Sequence, residues 1–328
     1  MASAAGASVG KRARWAPDVF ARYALLIALA GVIVLFSILL PNSFPTIGNI
    51  QTIVTSQAVM LILALGITMP LRTGDFDLSI AANMGFCAAL TGILTLHGVA
   101  VAAAMLVALV TGIAVGTINA ILIVMVGMNA FIVTLGMMTI LGGLAVAITG
   151  GLTVAGLPDA LLMFSRQTIV FGLPSGVFYG WVLAAVLWYI YEFTPFGRYL
   201  LFVGGNPDAS RLAGVPVKRV RMFAFVGSGL FGAFAGIVLV GTLGAIDPSI
   251  GSQFLLPPYA AAFLSTTTIQ IGRFNVLGTL IGLYLLAVGI TGLQLLGVAS
   301  WISDVFNGGA LLLAVGFAQL VRIRAAKA

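Results

Sequence analysis

The chain has 328 residues, 61% of them hydrophobic and only 7% charged, and 15 Lys+Arg against 8 Asp+Glu give a net charge of +7. Its mean hydropathy is +1.19. A soluble domain carries roughly 25% charged residues, and no soluble core of this length hides so much apolar surface, so a soluble enzyme, a secreted disulfide scaffold and a disordered chain are excluded. The basic residues are scattered between apolar runs rather than gathered on one face, so they read as topology signals and no nucleic-acid partner is expected.

A helix needs about 20 apolar residues to cross a bilayer, and in lipid a helix satisfies every backbone polar group internally. The pattern predicts an all-α polytopic membrane protein of about ten transmembrane helices. They cover Tyr23–Leu40, Ile50–Leu71, Leu78–Leu96, Ala100–Val126, Ala130–Thr149, Val177–Phe193, Met222–Leu243, Pro258–Thr268, Val276–Leu296 and Ile302–Leu320. The eighth begins at Pro257-Pro258 and is short, which predicts a broken or partial span. The first follows Lys11, Arg12, Arg14 and Arg22, like a signal peptide, but no small-residue cleavage pattern closes it. It reads as a retained span.

With the N-terminus in the cytoplasm, Arg72, Arg198, Arg211, Lys218, Arg219, Arg221, Arg273, Arg322, Arg324 and Lys327 all fall inside. Only Arg166 falls outside, which is the positive-inside pattern. Both termini are then cytoplasmic. Five spans per half make the halves inverted relative to each other, an arrangement common in transporters. Asp75-Phe76-Asp77-Leu78, then Ala81-Ala82, has a loose counterpart in Gln253-Phe254-Leu255-Leu256, then Ala260-Ala261.

Glycines four apart let helix backbones approach closely in lipid. Gly112/Gly116, Gly232/Gly236 and Gly278/Gly282 are such pairs, read as packing within one subunit, with a subunit interface as the alternative. Ionisable residues at membrane depth are usually functional, and here they are scarce. That scarcity argues against proton or sodium coupling and against a charged solute; a neutral, hydroxyl-rich one fits better. Candidate pathway residues are Asn83, Asn119, Thr291 and Gln294, with Thr134 beside them; the plainer reading of each is an interhelical hydrogen bond. At the junction of spans two and three, Gly74 permits a helix break beside Asp75, and Asp77 can cap the next helix. A gating role for these three is the alternative. The single Cys87 and single His97 form no metal site or catalytic pair.

The most informative stretch is GGNPDASRLAGVPVKRVR, from Gly204 to Arg221. Asn206 is a good N-cap, Pro207 fits the first helical position and Asp208 suits the positive end of the helix dipole. Arg211 and Leu212 follow on the helix, and Gly214 can end it in a left-handed cap. The prediction is a helix of about two turns, too short to be stable without a docking partner. Basic residues resting on anionic lipid are the plain alternative.

This stretch resembles the coupling loop of membrane subunits in bacterial ABC importers for ribose and related monosaccharides, whose pattern is close to G-G-N-x-x-A-x-R-L-S-G-I-x-V. Gly204, Gly205, Asn206, Ala209, Arg211, Leu212, Gly214 and Val217 match directly. Thr73–Ile80 resembles the family's S-G-x-D-L-S-V-G segment with one extra residue. The segments beginning at Asn129, Val276 and Leu295 also look like family segments in the right order. The resemblance implies an N-terminal cytoplasmic tail (1–22), a transmembrane permease domain (23–320) with its coupling loop at 194–221, and a C-terminal tail (321–328). It implies a bacterial inner-membrane location. It also implies a cytoplasmic ABC ATPase bound at Asn206, Pro207, Asp208, Arg211, Leu212 and Gly214, a second permease (the same chain or a homologue) and a periplasmic sugar-binding protein. The chain carries no G-x-x-x-x-G-K-[ST] phosphate loop, so ATP and Mg belong to the partner, and no cofactor, metal or catalytic residue is expected here. Where the family has G-G-T-S-x-x-G-G, this chain has Ser265-Thr-Thr-Thr-Ile-Gln-Ile-Gly272-Arg273, which changes backbone freedom at that turn and raises a heterodimer as one hypothesis. A stand-alone secondary transporter or facilitator is the reading from another class.

Overall fold

A chain this apolar must pair its backbone polar groups internally, and it does so almost entirely in helices. The computed structural model describes the backbone of residues 15–327 and the side chains of residues 22–316. Lys11, Arg12 and Arg14 of the expected N-terminal tail lie outside the described residues, as do the side chains of Arg322, Arg324 and Lys327.

In chain order the helices are α1 (Trp15–Leu39), α2 (Ile47–Ser56), α3 (Ala58–Arg72), α4 (Ser79–Leu96), α5 (Val101–Ala120), α6 (Ala130–Thr149) and α7 (Asp159–Arg166), followed by α8 (Ser175–Phe193), α9 (Pro195–Gly205), α10 (Pro207–Leu212), α11 (Val217–Leu243), α12 (Leu256–Ser265), α13 (Val276–Leu295) and α14 (Ile302–Lys327). Eight segments among the described residues are long and apolar enough to cross a bilayer, rather than the expected ten. Of the two others, α12 has 10 residues, and α14 has 26, with its side chains described only to Gly316.

The expected second span is two helices, α2 and α3, separated at Gln57. The fourth runs on from α5 through a π-helical turn at Ile121–Met125. The seventh, α11, starts five residues earlier than expected, so Lys218, Arg219 and Arg221 lie within its first turns rather than in a loop. α1 begins at Trp15 and α14 continues to Lys327, so helix runs beyond the expected first and last spans.

α11 and α3 form the centre. α11 packs on α3, α4, α5 and α7, and α3 also packs on α8, α9, α12 and α13. Every α3 residue from Leu61 to Arg72 is buried. The periphery is the opposite: Val34 and Ile38 of α1, Val110 of α5 and Ile132 and Ile140 of α6 stand exposed, as lipid-facing side chains would. The small-residue pairs pack inside the chain. A Cβ on Gly112 or Gly116 would run into the α11 backbone at Gly229 and Phe225, and one on Gly236 into α4 at Met84. Gly278 and Gly282 lie equally close to α12 at Ser265 and Ala261.

At one end of the bundle two short antiparallel ribbons tie the connections: β1 (Val154–Ala155) with β4 (Ala245–Ile246), and β2 (Thr168–Val170) with β3 (Leu173–Pro174). Arg166 Nε donates to the Thr242 carbonyl at 2.9 Å and so caps the last turn of α11 there. α9 and α10 lie at the other end, between α8 and α11.

Candidate functional site

The projecting helix forms as its sequence predicts. The Asn206 side chain accepts hydrogen bonds from the N–H groups of Asp208 (3.1 Å) and Ala209 (3.0 Å), and Pro207 takes the first helical position. Gly214 adopts φ +81°. The Gly214 N–H donates to the Arg211 carbonyl and the Val215 N–H to the Ser210 carbonyl, both at 3.0 Å. That pair of bonds is the Schellman closure of a helix C-terminus. The helix is shorter than two full turns, six residues. Leu212 is 91% exposed, an apolar side chain aimed away from the protein. Arg211 and Asp208 meet at 3.3 Å with both side chains solvated, so the pair contributes about 0–1 kcal/mol and leaves both charges free to engage another surface.

What holds α10 in place is α9, an element the sequence reading left inside a loop. Its signal was present: Thr194-Pro195 repeats the cap-plus-proline signature of Asn206-Pro207, and Thr194 Oγ1 accepts from the Gly197 N–H. α9 lies flush on the bundle because two glycines allow it. Gly197 sits on the backbone of Tyr191, and Gly204 sits so close to the Arg72 carbonyl that a Cβ would overlap it. α9, which leads into α10, thus meets the end of α3 in a backbone-to-backbone contact.

That end of α3 is the second part of the site. Gly74 takes φ +84°, the Gly74 N–H donates to Leu71 and the Asp75 N–H to Pro70, the same Schellman closure as in α10. Asp75 is gripped by Arg221 at the start of α11, with Nε to Oδ2 at 2.8 Å and Nη2 to Oδ1 at 2.7 Å. This forked, charge-assisted geometry is the strong form of the interaction. Thr73 Oγ1 also donates to Asp75 Oδ2. Arg72, close to both aspartates in sequence, pairs with neither; its guanidinium stacks over the Tyr191 ring, 3.8 Å from the centroid, a cation–π contact. Arg72 Nε and Nη1 find no hydrogen-bond partner among the described residues.

Asp77 is buried, and its Oδ1 accepts from the Ser79 N–H (3.0 Å) and Ser79 Oγ (2.6 Å) at the start of α4. Its Oδ2 accepts from Ser228 Oγ of α11 at 2.6 Å, and its own N–H donates to the Tyr259 hydroxyl of α12 at 3.1 Å. The helix-capping geometry is as anticipated. The tie to α11 and α12 was not, because Ser228 and Tyr259 lie more than a hundred residues away in sequence.

The four candidate pathway residues fall in two places. Asn83 donates to the Gly229 carbonyl at 2.8 Å and Asn119 to Ser79 Oγ at 2.8 Å, both buried at the meeting of α4, α5 and α11. Thr291 and Gln294 lie in the last turns of α13, which packs on α1, α12 and α14; Gln294 is exposed and donates to Ser303 Oγ at 3.2 Å. Thr134 Oγ1 donates to the Ala130 and Phe76 carbonyls.

The turn at Ser265–Arg273 holds two left-handed residues, Gly272 at φ +80° and the non-glycine Ile269. Ile269 takes φ +57°, a strained conformation for a β-branched residue. It is held by its N–H to the Arg22 carbonyl (2.9 Å), by Thr268 Oγ1 to the same carbonyl (2.7 Å) and by Gln270 Nε2 to Glu192 (2.8 Å). The turn is thus tied to α1 and α8. At the opposite end of the bundle, Asp247 Oδ1 accepts from the Ser249 N–H (2.8 Å) and hydroxyl (2.5 Å). Those bonds hold its carboxyl below the usual carboxylate range.

A bundle of apolar, partly broken helices with a short exposed helix at one end is the architecture of a multi-pass membrane protein. Residues 49–315 match the family described as the branched-chain amino acid transport system / permease component, and the chain belongs to that family. It is a permease component, not an enzyme. Among its relatives, the autoinducer 2 import system permease protein LsrD of Photorhabdus laumondii is 33% identical over 315 residues, 94% of this chain and 92% of that one. The ribose import permease protein RbsC of Escherichia coli is 32% identical over 293 residues, 88% and 91% of the two chains. No solved structure matches.

Proposed function

We propose that this chain is the membrane-spanning subunit of an ATP-driven ABC importer for a neutral monosaccharide or polyol. α10 is the point at which a separate cytoplasmic ATPase engages, a second permease (the same chain or a homologue) completes the pathway, and a periplasmic binding protein delivers the solute. The reading rests on one observation: a capped, six-residue helix presents an almost fully exposed Leu212 beside Asp208 and Arg211, and α9, which leads into it, meets the Arg72 carbonyl at the end of α3 through Gly204. A free helix of this length is unstable alone, and its relatives include permeases named for ribose and autoinducer 2 import.

In this reading both termini and the α9–α10 end are cytoplasmic and the β-ribbon end faces outward, in line with the positive-inside count. The chain makes ten passes, with α12 a half-length one. Two inverted halves account for the packing: α4 lies on α5 and α6 much as α12 lies on α13 and α14. Closure of the ATPase pair moves α10, α9 carries the motion to Arg72 through Gly204, and the Asp75–Arg221 fork carries it to α11. The break at Gly74–Asp77 is where α3 and α4 change their relative angle.

The test is ATP-driven uptake in proteoliposomes containing the cognate ATPase and binding protein. Arg211→Glu places two like charges beside each other on α10 and is expected to abolish uptake while leaving membrane insertion intact. Normal uptake by this variant would count heavily against the assignment, and uptake by the wild-type chain without any ATPase would return it to the facilitator class.

A further inference from the structure

We propose that the hairpin β2–β3 dips its tip into the bilayer leaflet at its own end of the bundle, with the Phe171 ring seated at the boundary between headgroups and acyl chains. The tip lies in a connection between spans, outside every stretch long and apolar enough to cross, and the inference stands without the transport reading. It begins with a turn whose residues do not suit it. Val170 pairs with Leu173 across a two-residue loop, and both loop residues are left-handed, Phe171 at φ +54° and Gly172 at φ +72°. Positive φ at both central positions is the type I′ arrangement, whose first place ordinarily goes to Asn, Asp or Gly. A bulky residue there is strained. The protein does not offset that strain by covering the ring: Phe171 is 87% exposed, and Ile169 and Val170 before it are exposed as well.

The depth of the tip follows from α2. The membrane-length stretch Ile47–Arg72 has 26 residues, about 39 Å at 1.5 Å per residue, against a hydrocarbon core of about 30 Å. Its first turn therefore falls near the headgroup boundary. The hairpin runs beside that turn. Leu173 packs with Val54 and Ala58, and nearer the end of α2 Gln51 Nε2 donates to the Phe171 carbonyl at 2.8 Å. Ile47 and Ile50, on the same first turn, are exposed, so the ring continues an apolar surface that already faces lipid. It goes no deeper than the boundary, because β2 pairs only with β3 among the described residues, and an open strand edge is not tolerated in hydrocarbon. No charge opposes insertion: residues 167–191 carry none, and the neighbouring Arg166 is turned to the Thr242 carbonyl. Interfacial segments seat Phe and Leu at this level, whereas a patch made for a soluble protein has a polar rim.

The experiment uses the full chain in phosphatidylcholine nanodiscs, where both faces are open to solution. The native Cys87 is buried, so Phe171→Cys and Ile169→Cys each offer one accessible thiol for an NBD fluorophore. Leu212→Cys, on the exposed α10 at the other end of the bundle, is the reference for a dye in water. At both hairpin positions the dye should lose most of its emission to phosphatidylcholine carrying a nitroxide near the headgroup and less to one carrying it near the chain end. It should keep its emission in iodide, which quenches the reference. Quenching by iodide with none by either lipid would place the tip in water, open to a soluble partner, and would overturn the proposal. Stronger quenching by the chain-end nitroxide would place it below the boundary and overturn it too. Neither outcome depends on a motor, so failure here leaves the coupling assignment standing.

Discussion

The Asp75–Arg221 fork is the contact whose removal the structure prices most directly. Asp75 is 9% exposed, and the two side chains are 10% and 28% exposed. Removing one partner of a fully buried pair destabilises by about 3–5 kcal/mol, and exposed pairs contribute about 0–1 kcal/mol. With the aspartate buried and the guanidinium partly wet, Arg221→Gln should destabilise by about 2 kcal/mol, between these limits. Asp75→Asn should do slightly less, since Thr73 still donates to the retained oxygen. The assay is thermal unfolding of the purified chain in detergent for the two single variants and the double variant. The singles should each lower the midpoint, and the double should be little worse than the worse single, giving a coupling of about 1–2 kcal/mol. Additive losses would mean that the two groups act independently, and the link drawn between α3 and α11 would fall.

Gly204→Ala inserts a methyl group against the Arg72 carbonyl. Overpacking of that kind destabilises by about 1–3 kcal/mol, and ATP hydrolysis should continue while uptake falls; Gly205→Ala, with open space at its Cβ, should retain uptake. Ser228→Ala leaves one oxygen of the buried Asp77 without its 2.6 Å donor and should lower stability by about 1–3 kcal/mol, read as a lower unfolding midpoint; Ser249→Ala, on the exposed Asp247, should have far less effect. Ile269→Gly relieves a left-handed β-branched residue, worth about 1–2 kcal/mol against about 0.5–1 kcal/mol for the added freedom of glycine, so its midpoint should hold or rise; a large fall would contradict the strain reading.

Much of the fold is legible in the sequence because lipid leaves the backbone few options. The apolar runs mark the spans, and the Asn206-Pro207 and Gly214 signals mark both ends of α10 from local chemistry alone. α9 was legible by the same rule at Thr194-Pro195, but the apolar run Tyr199–Val203 within it looks like ordinary loop packing until its glycines are seen against Tyr191 and Arg72. The short reach of α12 is legible at Pro257-Pro258, whereas the division of the second span at Gln57 follows from packing that hydropathy does not register. The site divides in the same way. Gly74 and the capping oxygen of Asp77 follow from turn and cap chemistry within a few residues. Arg221, Ser228 and Tyr259 join that site only because α11 and α12 are brought against the break, and no local pattern announces them. Asn83 and Asn119, read as candidate pathway residues or as interhelical hydrogen bonds, are buried and bond to neighbouring helices.

The central claim is that α10 is where a separate ATPase takes hold. Leu212 is exposed on it and Cys87 is buried, so Leu212→Cys in the full chain gives a single reactive thiol. Thiol-to-amine crosslinking in membranes containing the cognate ATPase should join the two chains from Leu212→Cys, and not from Met128→Cys in the loop between α5 and α6. Crosslinking from Met128→Cys with none from Leu212→Cys would contradict it.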